Sequence, residues 1–142
     1  MAEQINVFVE NKPGRIRKVT EILFEEKINI RAIVIQDRTE FGVMKILVDA
    51  PRKAQLALAD QGFACALKSI LAIAMDDTPG GLFKVLSVLE EKGINILDAY
   101  GFVVESKKLA VWCVEVENQA EAKAAVESWG FRVLRDTEIY EL

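Results

Sequence analysis

Two short stretches of this chain carry the same polar side chains at the same spacing, and together they can hold a small zwitterion. The first is Asn11-Lys12-Pro13-Gly14, followed by Asn29; the second is Asp77-Thr78-Pro79-Gly80, followed by Asn95. Asn11 and Asp77 can accept hydrogen bonds from an ammonium group. Gly14 and Gly80 leave the backbone bare where a helix is expected to start, and the free N–H groups and dipole of a helix start attract a carboxylate. Asn29 and Asn95 can both donate and accept. An amino acid needs this combination of acceptors and donors.

The two stretches belong to a longer repeat. Residues 11–30, NKPGRIRKVTEILFEEKINI, return as residues 77–96, DTPGGLFKVLSVLEEKGINI, 66 positions downstream. Lys18, Val19, Leu23 and Glu25 meet Lys84, Val85, Leu89 and Glu91, and Ile28-Asn29-Ile30 meets Ile94-Asn95-Ile96. Taken alone, Asx-x-Pro-Gly is ordinary turn and helix-entry chemistry, and an asparagine after a helix is a common terminator. The repetition speaks first for a duplicated fold.

The elements that must position these residues follow from apolar periodicity. Gln4 to Val9 alternates and predicts a strand; Gly14 to Lys27 has helical spacing, with Ile16, Val19, Leu23 and Phe24 on one face. Ile28 to Gln36 and Phe41 to Val48 predict strands joined by a hairpin turn at Asp37-Arg38-Thr39-Glu40. Pro51 suits a first helical turn before Lys53 to Asp60, Gly62 ends that helix, and Phe63 to Lys68 predicts a fourth strand. The second half repeats the order. Ile70 to Met75 is a strand, Gly80 to Lys92 a helix, Ile94 to Val104 and Leu109 to Val116 strands around Glu105-Ser106-Lys107, and Ala120 to Ser128 a helix stopped by Gly130. Phe131 to Leu134 and Ile139-Tyr140 are expected to supply one last strand, bent near Asp136.

Each half therefore reads β-α-β-β-α-β, an α+β ferredoxin-like plan with an antiparallel sheet and both helices on one face. The halves are expected as two domains, 1–68 and 69–142, with no Gly/Ser-rich linker between them. Ile33-Val34-Ile35 and Val111-Trp112-Cys113-Val114 are apolar on both faces, so protein should cover the second face as well.

Composition narrows the function classes. The chain has 142 residues and a net charge of −4, from 18 Lys+Arg against 22 Asp+Glu. That balance argues against a nucleic-acid partner or an anionic membrane surface. The N-terminus shows no signal-peptide pattern, and the longest apolar runs are too short to span a bilayer. Cys65 and Cys113 lack metal or redox spacing and suit a reducing cytoplasm. There is no histidine, which removes the usual general base and the commonest metal ligand. No catalysis, metal or other cofactor is expected. The ferredoxin-like plan is shared with RNA-binding domains, but Phe41 and Trp112 are isolated aromatics on an acidic chain, which excludes their stacking mode.

The repeated element, strand to Asx-x-Pro-Gly to helix to Ile-Asn-Ile, resembles the ACT domain, the small regulatory module that senses amino acids in biosynthetic enzymes. VFVENKPG (7–14) with KINI (27–30), and AMDDTPG (74–80) with GINI (93–96), carry the resemblance. It covers nearly the whole chain as two tandem ACT domains. It implies a ligand-binding set at a domain interface: Asn11, Pro13, Gly14, Arg15, Ile16, Asn29 and Ile30 in the first copy, and Asp77, Thr78, Pro79, Gly80, Gly81, Leu82, Asn95 and Ile96 in the second. Serine-sensing members also use a His four residues before the Pro, where this chain has Val9 and Met75. Gly81 is expected to leave room for a ligand; Arg15 can hold an acidic one or cover the loop.

The resemblance further implies a side-by-side eight-stranded sheet and a homodimer, with Ile33, Ile35, Trp112 and Val114 as candidate contact surfaces; a buried intramolecular core explains these four residues as well. The expected partners are an amino acid or small carboxylate effector and a metabolic enzyme or transporter that reads the bound state. The alternative is a ligand-free ACT scaffold that acts only in protein–protein assembly.

Overall fold

The computed structural model describes every residue except Arg38 and Glu40. The chain divides into two compact units: Glu3–Lys68 with Glu141, and Ser69–Tyr140 with Met1, Ala2 and Leu142. Each has its own core and its own copy of the repeated loop.

The first unit comprises β1 (Ala2–Glu10), α1 (Arg15–Glu25), β2 (Ile30–Asp37), β3 (Phe41–Val48), α2 (Pro51–Asp60) and the start of β4 (Ala64–Asp76). Its strand order is β2-β3-β1-β4. β3 runs antiparallel to both neighbours, with Ile5 and Ile33 both opposite Ile46, and Val7 and Ile35 both opposite Met44. Alternation puts these residues on one face. There Ile5, Val7, Met44 and Ile46 pack with Val19, Ile22 and Leu23 of α1 and Ala54 and Leu58 of α2. Ile33 and Ile35 are on that face but on the edge strand, and both are exposed. The expected turn at 37–40 includes Arg38 and Glu40, which lie outside the described residues.

The second unit uses the rest of β4, then α3 (Gly81–Glu91), β5 (Ile96–Glu105), β6 (Leu109–Val116), α4 (Gln119–Ser128), β7 (Arg132–Leu134) and a short α5 (Asp136–Tyr140). β4 pairs antiparallel with β6 and β7, and β5 with β6. Leu71, Ile73 and Val114 pack with Val85, Val88 and Leu89 of α3 and with Ala122, Ala125 and Val126 of α4. Trp112 packs against the same cluster. Of the two readings open for Trp112 and Val114, a surface for a second copy or an intramolecular core, the packing is that of this unit's own core. On the other face Cys113 is buried and sits opposite Tyr100. Burial pushes its thiol up to about 12, and the hydrogen bond with Tyr100 pulls the other way.

Two expectations about strands are corrected. The strands expected at 63–68 and 70–75 are one 13-residue strand, β4, so the sheet order holds seven strands among the described residues and not eight. The expected final strand at 139–140 is helical. Asp136 accepts the Thr137 N–H, Ile139 N–H reaches the Arg135 carbonyl, and one helical turn buries Ile139 completely.

All four long helices end the same way. Phe63 N–H bonds to Leu58 O, Ile94 to Leu89 O, Phe131 to Val126 O and Ile28 to Leu23 O, at 2.9–3.0 Å. The residues just before these donors, Gly62, Gly93, Gly130 and Lys27, all have positive φ. This is the Schellman stop, in which a left-handed residue lets the next N–H reach back over the helix end. Three helices use glycine; α1 uses Lys27 at φ 59°.

Candidate functional site

The repeated loops have the same backbone. Gly14 and Gly80 precede α1 and α3 with φ of 88° and 89°, a left-handed conformation that costs an L side chain about 1–2 kcal/mol. In α1, Arg15 N–H goes to Lys12 O and Lys18 N–H to Gly14 O; in α3, Gly81 N–H goes to Thr78 O and Lys84 N–H to Gly80 O. The N–H groups of Ile16 and Arg17, and of Leu82 and Phe83, are left without a partner among the described residues. Each loop thus offers a pair of backbone donors on the positive end of a helix dipole.

The side chains around these donors differ. In the first loop Asn11, Pro13 and Gly14 are exposed, and the Asn11 amide has no hydrogen-bond partner among the described residues. Arg15 lies over the Phe63 ring, its guanidinium carbon 4.9 Å from the centroid, and its Nε is buried with no partner. It covers the loop. Lys12 pairs with Glu10 at 2.9 Å. That hydrogen bond, with the charges of Lys12 and Arg15, holds the Glu10 carboxyl below its usual value. Ile16 packs against the first core.

The second loop is acidic. Asp77 follows Asp76, and Asp77 Oδ2 accepts the Lys107 N–H at 2.7 Å. Its backbone N–H reaches Lys108 O at 3.3 Å. Asp77 therefore pins the β5–β6 turn, where Lys107 has φ 64°, and keeps its other carboxylate oxygen for something else. Thr78, Pro79 and Gly80 are exposed. Gly81 does not open space for a ligand, contrary to expectation: a Cβ there would stand 2.7 Å from the Asp76 carbonyl oxygen. The chain's own backbone fills that volume.

A cavity of about 270 Å³ adjoins this second loop. Asp76, Asp77 and Thr78 line one side, Leu82 of α3 another, and Gly101, Val103 and Trp112 of the β5–β6 pair the rest, with Met75 at the end of β4. Sequence reasoning missed the strand half of this lining. Its one signal is Gly101, an isolated glycine inside a strand pattern, which marks a close approach. A Cβ at Gly101 would lie 3.3 Å from Trp112 Cδ1 and from Val111 O.

The asparagines that end the motif sit elsewhere. Asn29 is exposed, and its backbone is tied to Asp49, donating N–H to Oδ1 at 3.0 Å and accepting Asp49 N–H at 3.2 Å. Asn95 is exposed and lines a second cavity of about 450 Å³ with Glu90, Gly93 and Ile96. Ile30 and Ile96 pack against their cores, and each begins a strand whose register shifts one step later, between Ile30/Ala32 and Ile96/Asp98. An 11-residue helix separates loop from asparagine in each unit, a length of roughly 16 Å at 1.5 Å per residue. One unit therefore does not bring its Asx and its Asn onto the same small ligand.

Among the described residues no group of three His, Cys, Asp or Glu side chains could hold a metal ion. No helix among them is long and apolar enough to cross a membrane.

Comparison with known proteins gives the family. No curated protein sequence matches the chain significantly. A crystal structure of a protein from Bacteroides thetaiotaomicron is similar, with 32% identity, 99% of this chain and 96% of that chain covered and a TM-score of 0.93. The ligand-free regulatory subunit of aspartate kinase from Thermus thermophilus has the same fold at 22% identity, covering 89% of this chain and 91% of that one, TM-score 0.65. The corresponding subunit from Thermus flavus follows at 20% identity, 89% and 90% coverage and TM-score 0.58. A family model described as an ACT domain pair matches residues 1–140, and with both copies of the loop in place the chain belongs to the family of ACT domain pairs.

Proposed function

We propose that this chain is a regulatory sensor that binds an amino acid, or a related small carboxylate, and passes the bound state to a partner protein such as a metabolic enzyme or transporter. In this reading residues 1–68 and 69–142 are one ACT domain each, and neither is catalytic. The observation that carries it is the second-unit cavity: Asp77 and Thr78 of the repeated loop and Leu82 of the first turn of α3 line a space of about 270 Å³. The fold shared with aspartate kinase regulatory subunits supports a regulatory role. The motif glycines, prolines and isoleucines shape the loops; Asn11, Asn29, Asp77 and Asn95 are the polar contacts. Loop and asparagine lie at opposite ends of an 11-residue helix in each unit, and binding at either favours the conformation that a partner protein reads. We place the protein in the cytoplasm as a homodimer, with the exposed edge residues Ile33 and Ile35 as its candidate contact surface.

A thermal-shift screen with the twenty amino acids and a few keto and aromatic acids tests this. A ligand at about 100 times its dissociation constant stabilises by roughly 2.7 kcal/mol, a melting shift of roughly 5–11 °C for a chain of this size. The expected result is a selective shift that is lost in Asp77→Asn, which keeps an acceptor for the Lys107 N–H but removes the charge. No shift with any compound would replace the sensor by a ligand-free assembly scaffold, in which Asp77 serves only the turn.

A further inference from the structure

In the strand order β2-β3-β1-β4-β6-β5 the outermost strands are β2 and β5. An outermost strand turns a row of backbone N–H and C=O groups outward, which is a template for another strand. Proline and lysine commonly blunt such an edge, and neither strand contains either. The two are equivalent strands of the repeat, 66 positions apart, and each shifts register at the same place, Ile30/Ala32 and Ile96/Asp98. Past that shift they differ. On the core side β2 presents Ile33 and Ile35, 44% and 47% exposed, where β5 presents Ala99 and Gly101.

The difference decides which edges fit. An antiparallel pairing of β2 with β5 of a second copy, Val34 opposite Tyr100, is the register that relates equivalent positions of the repeat. It sets Ile33 opposite Gly101, Ile35 opposite Ala99 and Ala32 opposite Phe102, a large residue against a small one each time. At Gly101 the indole of Trp112 already stands close, its Cδ1 3.3 Å from where a Cβ would be. Ile33 of the second copy meets that indole with no side chain between them. Two copies of β2 would set isoleucine against isoleucine, and two copies of β5 would set Ala99 against Gly101 and leave a gap. The antiparallel sense also brings the Arg31 end of β2 to the Glu105 end of β5, where the charges are opposite.

We propose that β2 of one copy adds to β5 of a second copy in this register, with Ile33 and Ile35 as anchors and Ala99, Gly101 and Trp112 as their seat. The proposal rests on the homodimer placed above and names the strand that Ile33 and Ile35 meet. Gly101, Val103 and Trp112 line the cavity of about 270 Å³, so the second copy's Ile33 becomes part of its wall, and the cavity is complete only in the assembly.

The test is disulfide trapping in the full chain on a Cys65→Ser background; Cys113 is buried and stays out of the reaction. Directly opposite residues of an antiparallel pair have Cα atoms about 4.5–5.5 Å apart, within the disulfide range of about 4.4–6.8 Å. Ile35→Cys and Ala99→Cys chains are prepared separately, mixed, oxidised and mapped by peptide mass spectrometry. The expected result is a disulfide between positions 35 and 99 at least tenfold in excess of 35–35 and 99–99. A second variant needs no disulfide: Ile33→Lys, at an exposed edge position, should weaken self-association at least tenfold by sedimentation. A predominant 35–35 or 99–99 disulfide overturns the pairing of unlike edges. A dimer that forms none of these disulfides and is unmoved by Ile33→Lys overturns the surface; both results leave the homodimer standing. A native chain that sediments as a monomer overturns the homodimer as well.

Discussion

Lys27 is the residue where the duplicated pattern and the physics of the backbone disagree. It ends α1 at φ 59°, in the position that Gly62, Gly93 and Gly130 take at the other helix ends. A lysine in that conformation costs roughly 1–2 kcal/mol, against roughly 0.4–1 kcal/mol for the extra freedom that glycine loses on folding. The Lys27 side chain is exposed and makes no hydrogen bond or ion pair among the described residues, so nothing offsets the difference. Lys27→Gly is expected to stabilise the protein by about 0.5–1 kcal/mol. The readout is a higher urea midpoint at unchanged slope; a lower midpoint would mean that the lysine contributes something the contacts do not show. Sequence spacing located this stop, because Ile-Asn-Ile follows both Lys27 and Gly93. It could not show that lysine adopts the glycine conformation, since composition carries no dihedral angle. The same limit explains Gly81. As a letter it looked like open space, but the Asp76 carbonyl occupies that volume, and only the path of the backbone reveals it.

At the level of elements, the C-terminal α5 depends on charge in a way the central strands do not. Glu138 accepts from Arg135 Nε at 2.7 Å and from the Arg132 guanidinium, which ties this helix to β7. Those two hydrogen bonds, Arg135 first, bring its carboxyl down to about 2 from an ordinary 4.5. A carboxyl whose folded value is depressed stabilises the fold above its unfolded value and loses that contribution as the pH falls toward the folded one. The contribution should therefore be complete above pH 4.5 and gone near pH 2. Because the pair is at the surface, the effect is modest and salt-sensitive. Melting curves of the native protein and of Glu138→Gln should differ at pH 6 and converge near pH 2; a constant gap across that range would remove Glu138 from the account. This element was the one most poorly legible in the sequence. Phe131 to Leu134 has strand character and Ile139-Tyr140 continues it, while a five-residue helix is too short to show a period. The longer helices and the edge and central strands were readable because each has a full apolar stripe that its unit buries.

For the molecule as a whole, the family pattern was legible because the order β-α-β-β-α-β occurs twice and each copy carries its loop. The candidate site was legible only in part. Asp77, Thr78 and Leu82 line a cavity, but Gly101, Val103 and Trp112 come from strands 19–35 residues further along, and only strand register brings them there. The boundary between the units was read as a junction between two strands and is the inside of one, β4, with Lys68 and Ser69 on either side of the divide. Limited proteolysis should therefore spare residues 64–76, although Lys68 is a trypsin target, and cut first elsewhere; early release of a fragment ending at Lys68 would show that β4 is not intact in solution. The same strand bears on how such a chain can change over generations. A crossover in the gene that detached one copy would have to break inside a strand and leave both products with a frayed end. Copies joined in this way are inherited together, and substitutions such as Ile35 against Gly101 can then accumulate in one copy while the other preserves the ancestral shape.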